Sequence, residues 1–335
     1  MRAAIAKTQR DLATVGAELS SGRLDNIGRT LGGGVGAAFD FRAAAANANA
    51  YAQNCQNAGD SLSAAQAAMG SITSVAQSLQ QSLTQGMSGS SAPSALQTQA
   101  QQALSLIAGQ LNASYAGAAI FGGANTGRAP VADYTQASGA SARAATAAAF
   151  SAAFGVAQGA AGSSSITGAA MQSFLTGPFA ALFSGSSWNA NWSSADNGGV
   201  NVATGDGQTT NVALSANNTA FRDIMQAAAM VADTGISTLN ADARSAVLQQ
   251  ASTLLGSGLG ALAQLQSAVG STQAQLSTQY TAQTTNANFL KAQTGKLENA
   301  DPAQLSSSLA LLTTQLELSY SLTNRISKLS LVNFI

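Results

Sequence analysis

At 335 residues the chain has room for roughly two or three domains, yet only 8% of it is charged, against about 25% in an average globular domain. Its 14 basic and 14 acidic residues cancel, so neither nucleic acid nor a membrane surface is an expected partner. With no histidine and one cysteine, the chain lacks the means for Ser-His-Asp or Cys-His catalysis, His-bearing or multi-Cys metal sites, and an internal disulfide. No catalytic residue, metal or cofactor is therefore expected.

The opening stretch, MRAAIAKTQRDLATVGAELSSGR, carries charges every few residues and has no apolar run of the secretory-signal kind. Ile5, Thr8, Leu12, Val15 and Leu19 recur at helical spacing until Ser20-Ser21-Gly22 stops the pattern. The following LGGGVGA holds Gly32, Gly34 and Ala37 in the order of a dinucleotide fingerprint. That motif needs a buried strand before it, and the polar SSGRLDNIGRT is not one, so a connection between helices is predicted.

From Tyr51 the apolar positions Cys55, Ala58, Leu62, Ala65, Met69, Ile72, Ala76, Leu79 and Leu83 alternate in steps of four and three. This predicts a long helix packed along its length. Cys55 falls on that seam and reads as a buried, inert thiol. TQGMSGSSAPS breaks the helix, and another is predicted to start at Pro93, with Leu96, Ala100, Ala103, Ile107 and Leu111 on one face.

Between residues 122 and 218 the character changes. The uncharged run from Ala144 to Gly162 is too rich in alanine and too broken by Ser and Gly to favour lipid. GVNVATGDGQTTNVALSAN alternates around Asp206-Gly207 and predicts a β-hairpin. Trp188 and Trp192, with Phe174, Phe179 and Phe183, supply a small aromatic core. Leu248, Leu255, Leu262, Val269, Leu276, Leu290 and Leu297 then keep a seven-residue seam, with Gln283 its one polar member. Ala251, Leu265 and Thr272 occupy half-steps. Asp301, Pro302 and Gln304 open a last helix in capping-box fashion, and Glu298 is assigned to the preceding helix end.

That last helix carries Leu305, Leu309, Leu312, Leu316, Tyr320, Leu322, Ile326 and Leu329, widened by Leu311, Leu318 and Leu331, and the chain closes on Val332, Phe334 and Ile335. An apolar belt this wide calls for neighbours on more than one side. The expected fold is mainly α: an elongated bundle of long coiled-coil-like helices from both termini, with a small mixed α/β insert. The expected divisions are 1–40 (terminal helix and connection), 41–121 and 219–300 (halves of a helical core), 122–218 (insert) and 301–335 (C-terminal helix).

The ends, with ELSSGR at Glu18–Arg23 and SYAGAAIFGGANTGRAPV at Ser114–Val131, resemble the flagellin family. The closing LTTQLELSYSLTNRISKLSLVNFI and the segment FLTGPFAALFSGSSWNANWSSADN are similar to its junction-type, hook-associated branch in alphaproteobacteria. Only residues 1–20 precede Ser21-Gly22-Arg23, short for the family, which leaves open a start upstream of Met1; TLGGGVGAAFD replaces the usual polar loop.

The resemblance implies a structural, non-enzymatic subunit exported without a cleaved signal through the flagellar type III apparatus, with an export chaperone. Its further implied partners are copies of itself and adjacent hook-associated and flagellin subunits. It implies a self-assembly interface at Ile5, Leu12, Val15 and Leu19 against Leu309, Leu312, Leu316, Leu322, Ile326, Leu329, Leu331, Val332, Phe334 and Ile335. The alternatives are a filament flagellin and, more remotely, a secreted helical translocator or adhesin.

Overall fold

The structure is a computed structural model that describes residues 2–332, with side chains described as far as residue 326. Long helices contributed by both terminal regions dominate, with small two-stranded sheets in the middle of the chain. The contacts divide it into two compact units, residues 1–50 with 281–335 and residues 51–280.

The first unit contains α1 (Arg2–Ser21), α2 (Ile27–Leu31), the start of α3 (Val35–Met87), the end of α9 (Ala241–Glu298) and α10 (Pro302–Val332). Gly32–Gly34 form a single 3-10 turn joining α2 to α3, and no strand precedes them among the described residues. Asn26 caps α2 by accepting from the Arg29 amide at 2.9 Å, and Asp301 caps α10 by accepting from Ala303 at 2.9 Å. Ala38, Ala45 and Ala48 form the buried line of the α3 portion, small side chains that let helices approach closely.

In the second unit every expected seam residue of α3 from Cys55 to Leu83 is buried, and so is the whole expected face of α4 (Pro93–Leu111). The seam continues on α9 through Leu248, Ala251, Leu255, Leu262, Val269 and Leu276. Beyond Leu276 the buried line of α9 leaves the seven-residue repeat that the sequence predicts. Leu290 and Leu297 are only half-buried, and the buried positions are Ala287, Thr294 and Glu298. The step from Leu276 to Ala287 is eleven residues, which resets the phase that a strict seven-residue repeat loses against a 3.6-residue turn.

Within the same unit, α8 (Thr219–Asp233) is buried almost all round from Ala220 to Ala232. It packs against α4. Gly258 lets α9 approach it, since a Cβ there would lie 2.7 Å from Ile224 Cγ1.

Between α4 and α8 the chain makes a tight hairpin of β1 (Ser114–Tyr115) and β2 (Ala118–Ala119), then α5 (Ala140–Phe154), α6 (Gly168–Phe174) and α7 (Gly185–Asn191). The expected hairpin follows as β3 (Asn201–Gly205) and β4 (Gln208–Asn211), turning at Gly207 with φ +65°. Phe174, Phe179, Phe183, Trp188 and Trp192 form one chain of ring contacts, and Tyr134 stacks on Trp192 at 4.9 Å.

Candidate functional site

The feature of the first unit that calls for a partner is the pairing of α1 with α10. It is pinned at one end by two turns. Gly22 takes the left-handed conformation at φ +67°, and its amide donates to the Glu18 carbonyl at 2.8 Å, closing α1 with a left-handed glycine cap. The Glu18 side chain then accepts from the Asp25 amide at 2.9 Å, and Ser21 Oγ accepts from the Arg23 amide at 3.3 Å. ELSSGR is thus a turn that satisfies its own orphaned groups. Leu24 N donates to Glu298 O at 3.0 Å and Ala300 N to Gly22 O at 3.1 Å, so this turn lies against the α9–α10 connection.

Side chains reinforce the contact. Glu298 is buried, and its Oε2 accepts from Arg23 at 2.6 Å and also from Arg42. Its Oε1 is buried with no hydrogen-bond partner among the described residues. A cavity of about 430 Å³ lies beside it, lined in part by Arg23, Arg42, Asn49, Lys291 and Thr294. Glu298 therefore does more than end a helix, the role its place in the sequence predicts. The sequence offers little local signal for this cluster, since Asp25, Asp40 and Lys296 lie two residues from Arg23, Arg42 and Glu298 and supply nearer opposite charges.

The expected assembly residues separate into groups. Ile5, Leu12 and Val15 on α1 are half-buried, as are Leu309, Leu312 and Leu316 on α10. Away from the pinned turns, Gln9 Nε2 donates to the Tyr320 hydroxyl at 2.8 Å. Leu19, Leu322 and Ile326 are exposed. The side chains of Leu329, Leu331 and Val332, and the residues Phe334 and Ile335, lie outside the described residues.

Leu311 and Leu318, which widen the apolar stripe, are the most exposed large apolar residues of α10 among the described side chains, at 72% and 66%. With Leu322 and Ile326 they fall within an arc of about 80° at 3.6 residues per turn. The half-buried line Leu305, Leu309, Leu312 and Leu316 faces another direction. One helix thus presents two apolar faces, of which the described residues cover only one.

The groups that titrate abnormally lie elsewhere, in the second unit. The Tyr134 hydroxyl donates to Asp233 Oδ2. Burial raises the Asp233 carboxyl against the opposing pull of Tyr134, Gln158 and Arg143. Burial also pushes Asp133 up, but hydrogen bonds from Thr135 and Ser105 outweigh it and leave that carboxyl low. Burial raises the Cys55 thiol, as an inert core cysteine requires. Among the described residues no group of three His, Cys, Asp or Glu could hold a metal ion. No helix among them is long and apolar enough to cross a membrane.

Residues 1–126 match the family model of the bacterial flagellin N-terminal helical region, and residues 252–335 that of the bacterial flagellin C-terminal helical region. No curated protein matches the chain.

Proposed function

Because the chain belongs to the flagellin family, whose members are exported, assemble as homo-oligomers and form the extracellular bacterial flagellum, we propose that it is the hook–filament junction subunit of a flagellum, of the hook-associated protein 3 type. Its role is structural rather than catalytic. The observation that carries the assembly mechanism is the second, uncovered apolar face of α10, Leu311, Leu318, Leu322 and Ile326. Burial of that face against neighbouring copies, and against hook-associated and flagellin subunits, would complete a helix that α1 covers on one side only. The closing LELSYSLTNRISKLSLVNFI supports the junction assignment over filament flagellin through its resemblance to junction-type chains. Residues 1–40 and 301–335 are the assembly arms of this proposal, and 122–218 is its variable insert.

Electron microscopy of a deletion strain tests the assignment. Hooks without filaments are expected, together with cell-free flagellin in the medium. Normal filaments on these cells would overturn the junction role. Copy number separates the alternative: a junction subunit is a minor component of sheared filaments, whereas a filament flagellin dominates them. Removal of residues 328–335 should give protein that is secreted but unassembled.

A further inference from the structure

We infer that Asn197–Gly198 is a self-modifying site, at which the fold promotes loss of ammonia from Asn197 through a cyclic imide. It is the one Asn-Gly pair in the sequence, and Asn197 is exposed to water. Glycine at the second position offers the least steric resistance to attack by its own backbone nitrogen.

Four groups the reaction needs are gathered there. The nucleophile is Gly198 N, and its N–H donates to the carboxylate Oδ1 of Asp196, a base in contact with the proton that must leave. The electrophile is Asn197 Cγ. Its carbonyl oxygen, Oδ1, accepts from Ser215 Oγ at 3.3 Å, so a hydroxyl faces the atom on which negative charge develops.

The fold holds these groups together through Gly122. Asp196 N donates to Gly122 O at 2.9 Å, and Gly122 forms an isolated β-bridge with Ser215 on its other side. The approach is close enough that a Cβ on Gly123 would lie 1.9 Å from Asp196 O. The Asp196 contact also shapes an Asx turn, but a turn alone does not call for the Ser215 hydroxyl.

In the step itself Gly198 N bonds to Asn197 Cγ, and its proton passes to Asp196. The Cγ–Nδ2 bond then breaks, and the amide group leaves with that proton as ammonia. Water opens the imide at either carbonyl to give aspartate or isoaspartate. One water is consumed, one ammonia is released, and nothing is oxidised or reduced. Either product places a negative charge beside Asp196. The isoaspartyl product also adds a methylene to the backbone next to the Asp196–Gly122 hydrogen bond.

Peptide mass mapping of the purified full-length chain, incubated at neutral pH with and without urea, tests this. A gain of one mass unit at Asn197 is expected, with faster onset in the folded chain than in urea. Asp196→Ser retains a turn-forming acceptor without the carboxylate, and Ser215→Ala removes the hydroxyl; each should slow the folded chain severalfold and leave the rate in urea unchanged. A mass that stays constant, a folded rate no higher than that in urea, or two variants that react like the parent would each overturn the inference.

Discussion

Glu298 sits at 3% side-chain exposure between Arg23 at 53% and Arg42 at 38%, and this asymmetry decides what each substitution costs. The buried group has paid the desolvation penalty, while the arginines can return to water. Loss of Glu298 by Glu298→Ala should therefore cost only about 1.5–3 kcal/mol, the scale of charged hydrogen bonds. Removal of both arginines strands a buried charge, for which about 3–5 kcal/mol is usual. Adding Glu298→Gln to the double arginine variant should recover much of that loss. Hydrogen exchange at the Leu24 and Ala300 amides, which bond across the same connection, reads the effect locally. Equal costs for the acid and the arginine pair would contradict the argument.

Asp233 gives a residue-scale prediction with a pH axis. Its carboxyl is raised by burial, so folding favours the protonated form. The associated stability is complete below the unfolded value near 3.9 and is lost as pH rises through the higher folded value. Asp233→Asn keeps an acceptor for Tyr134 and removes the buried charge. Its melting temperature should exceed the parent's at pH 7, and the advantage should fade toward pH 4. Asp133 has the opposite sign, since its lowered carboxyl stabilises above the unfolded value and loses that contribution as pH falls through the folded one. A variant at 233 that is less stable at pH 7 than at pH 4, relative to the parent, would refute the assignment.

At the scale of the element, the long heptad helices were legible and the short α8 was not. Cys55 to Leu83 follow a four-three rhythm that only a packed helix uses, and every member is buried. The Asp206-Gly207 hairpin and the Asp301 cap rest on local chemistry that sequence carries directly. By contrast α8 is a single short helix without a heptad repeat, and its polar Arg222, Asp223 and Gln226 are themselves half-buried or buried, so its near-complete burial does not follow from its polar positions. The phase shift after Leu276 was hidden because Leu290 and Leu297 continue the heptad on paper. The Glu298 cluster joins residues 275 and 256 positions apart, beyond any local pattern.

Gly258 tests the packing of α8 and α9. In an isolated helix Gly→Ala gains up to about 1 kcal/mol. Here the new Cβ would meet Ile224 Cγ1 at 2.7 Å, Ile224 N at 3.2 Å and Ala220 O at 3.3 Å, two of them backbone atoms that cannot rotate away. Overpacking of about 1–3 kcal/mol should win, so Gly258→Ala is expected to lower the denaturation midpoint. Gly256, with nothing within 4 Å of its Cβ position, should respond to the same substitution with a gain.

For the whole molecule, the balance between folding and the proposed assembly turns on how little each uncovered side chain contributes alone. Full burial of a Leu or Ile gives about 1.5–3 kcal/mol, and the four residues of the open α10 face are already partly covered. They can supply on the order of 4–6 kcal/mol between them, at or below the cost of about 4–15 kcal/mol for immobilising a partner. Through this face alone a pair of copies should not be stable. Many neighbours closing around each subunit can share that cost, and a weakly charged surface offers them little repulsion. The expectation is a monomer in dilute solution and cooperative assembly above a threshold concentration. Leu318, 66% exposed, separates the two processes. Leu318→Ser should change monomer stability by no more than about 0.5 kcal/mol, as surface substitutions do. It should remove about 1–2 kcal/mol from each assembly contact, raising the threshold roughly five- to thirtyfold. Sedimentation across a concentration series measures that threshold, and circular dichroism of the same samples measures the fold. An unchanged threshold with an intact monomer would remove this face from the proposed interface.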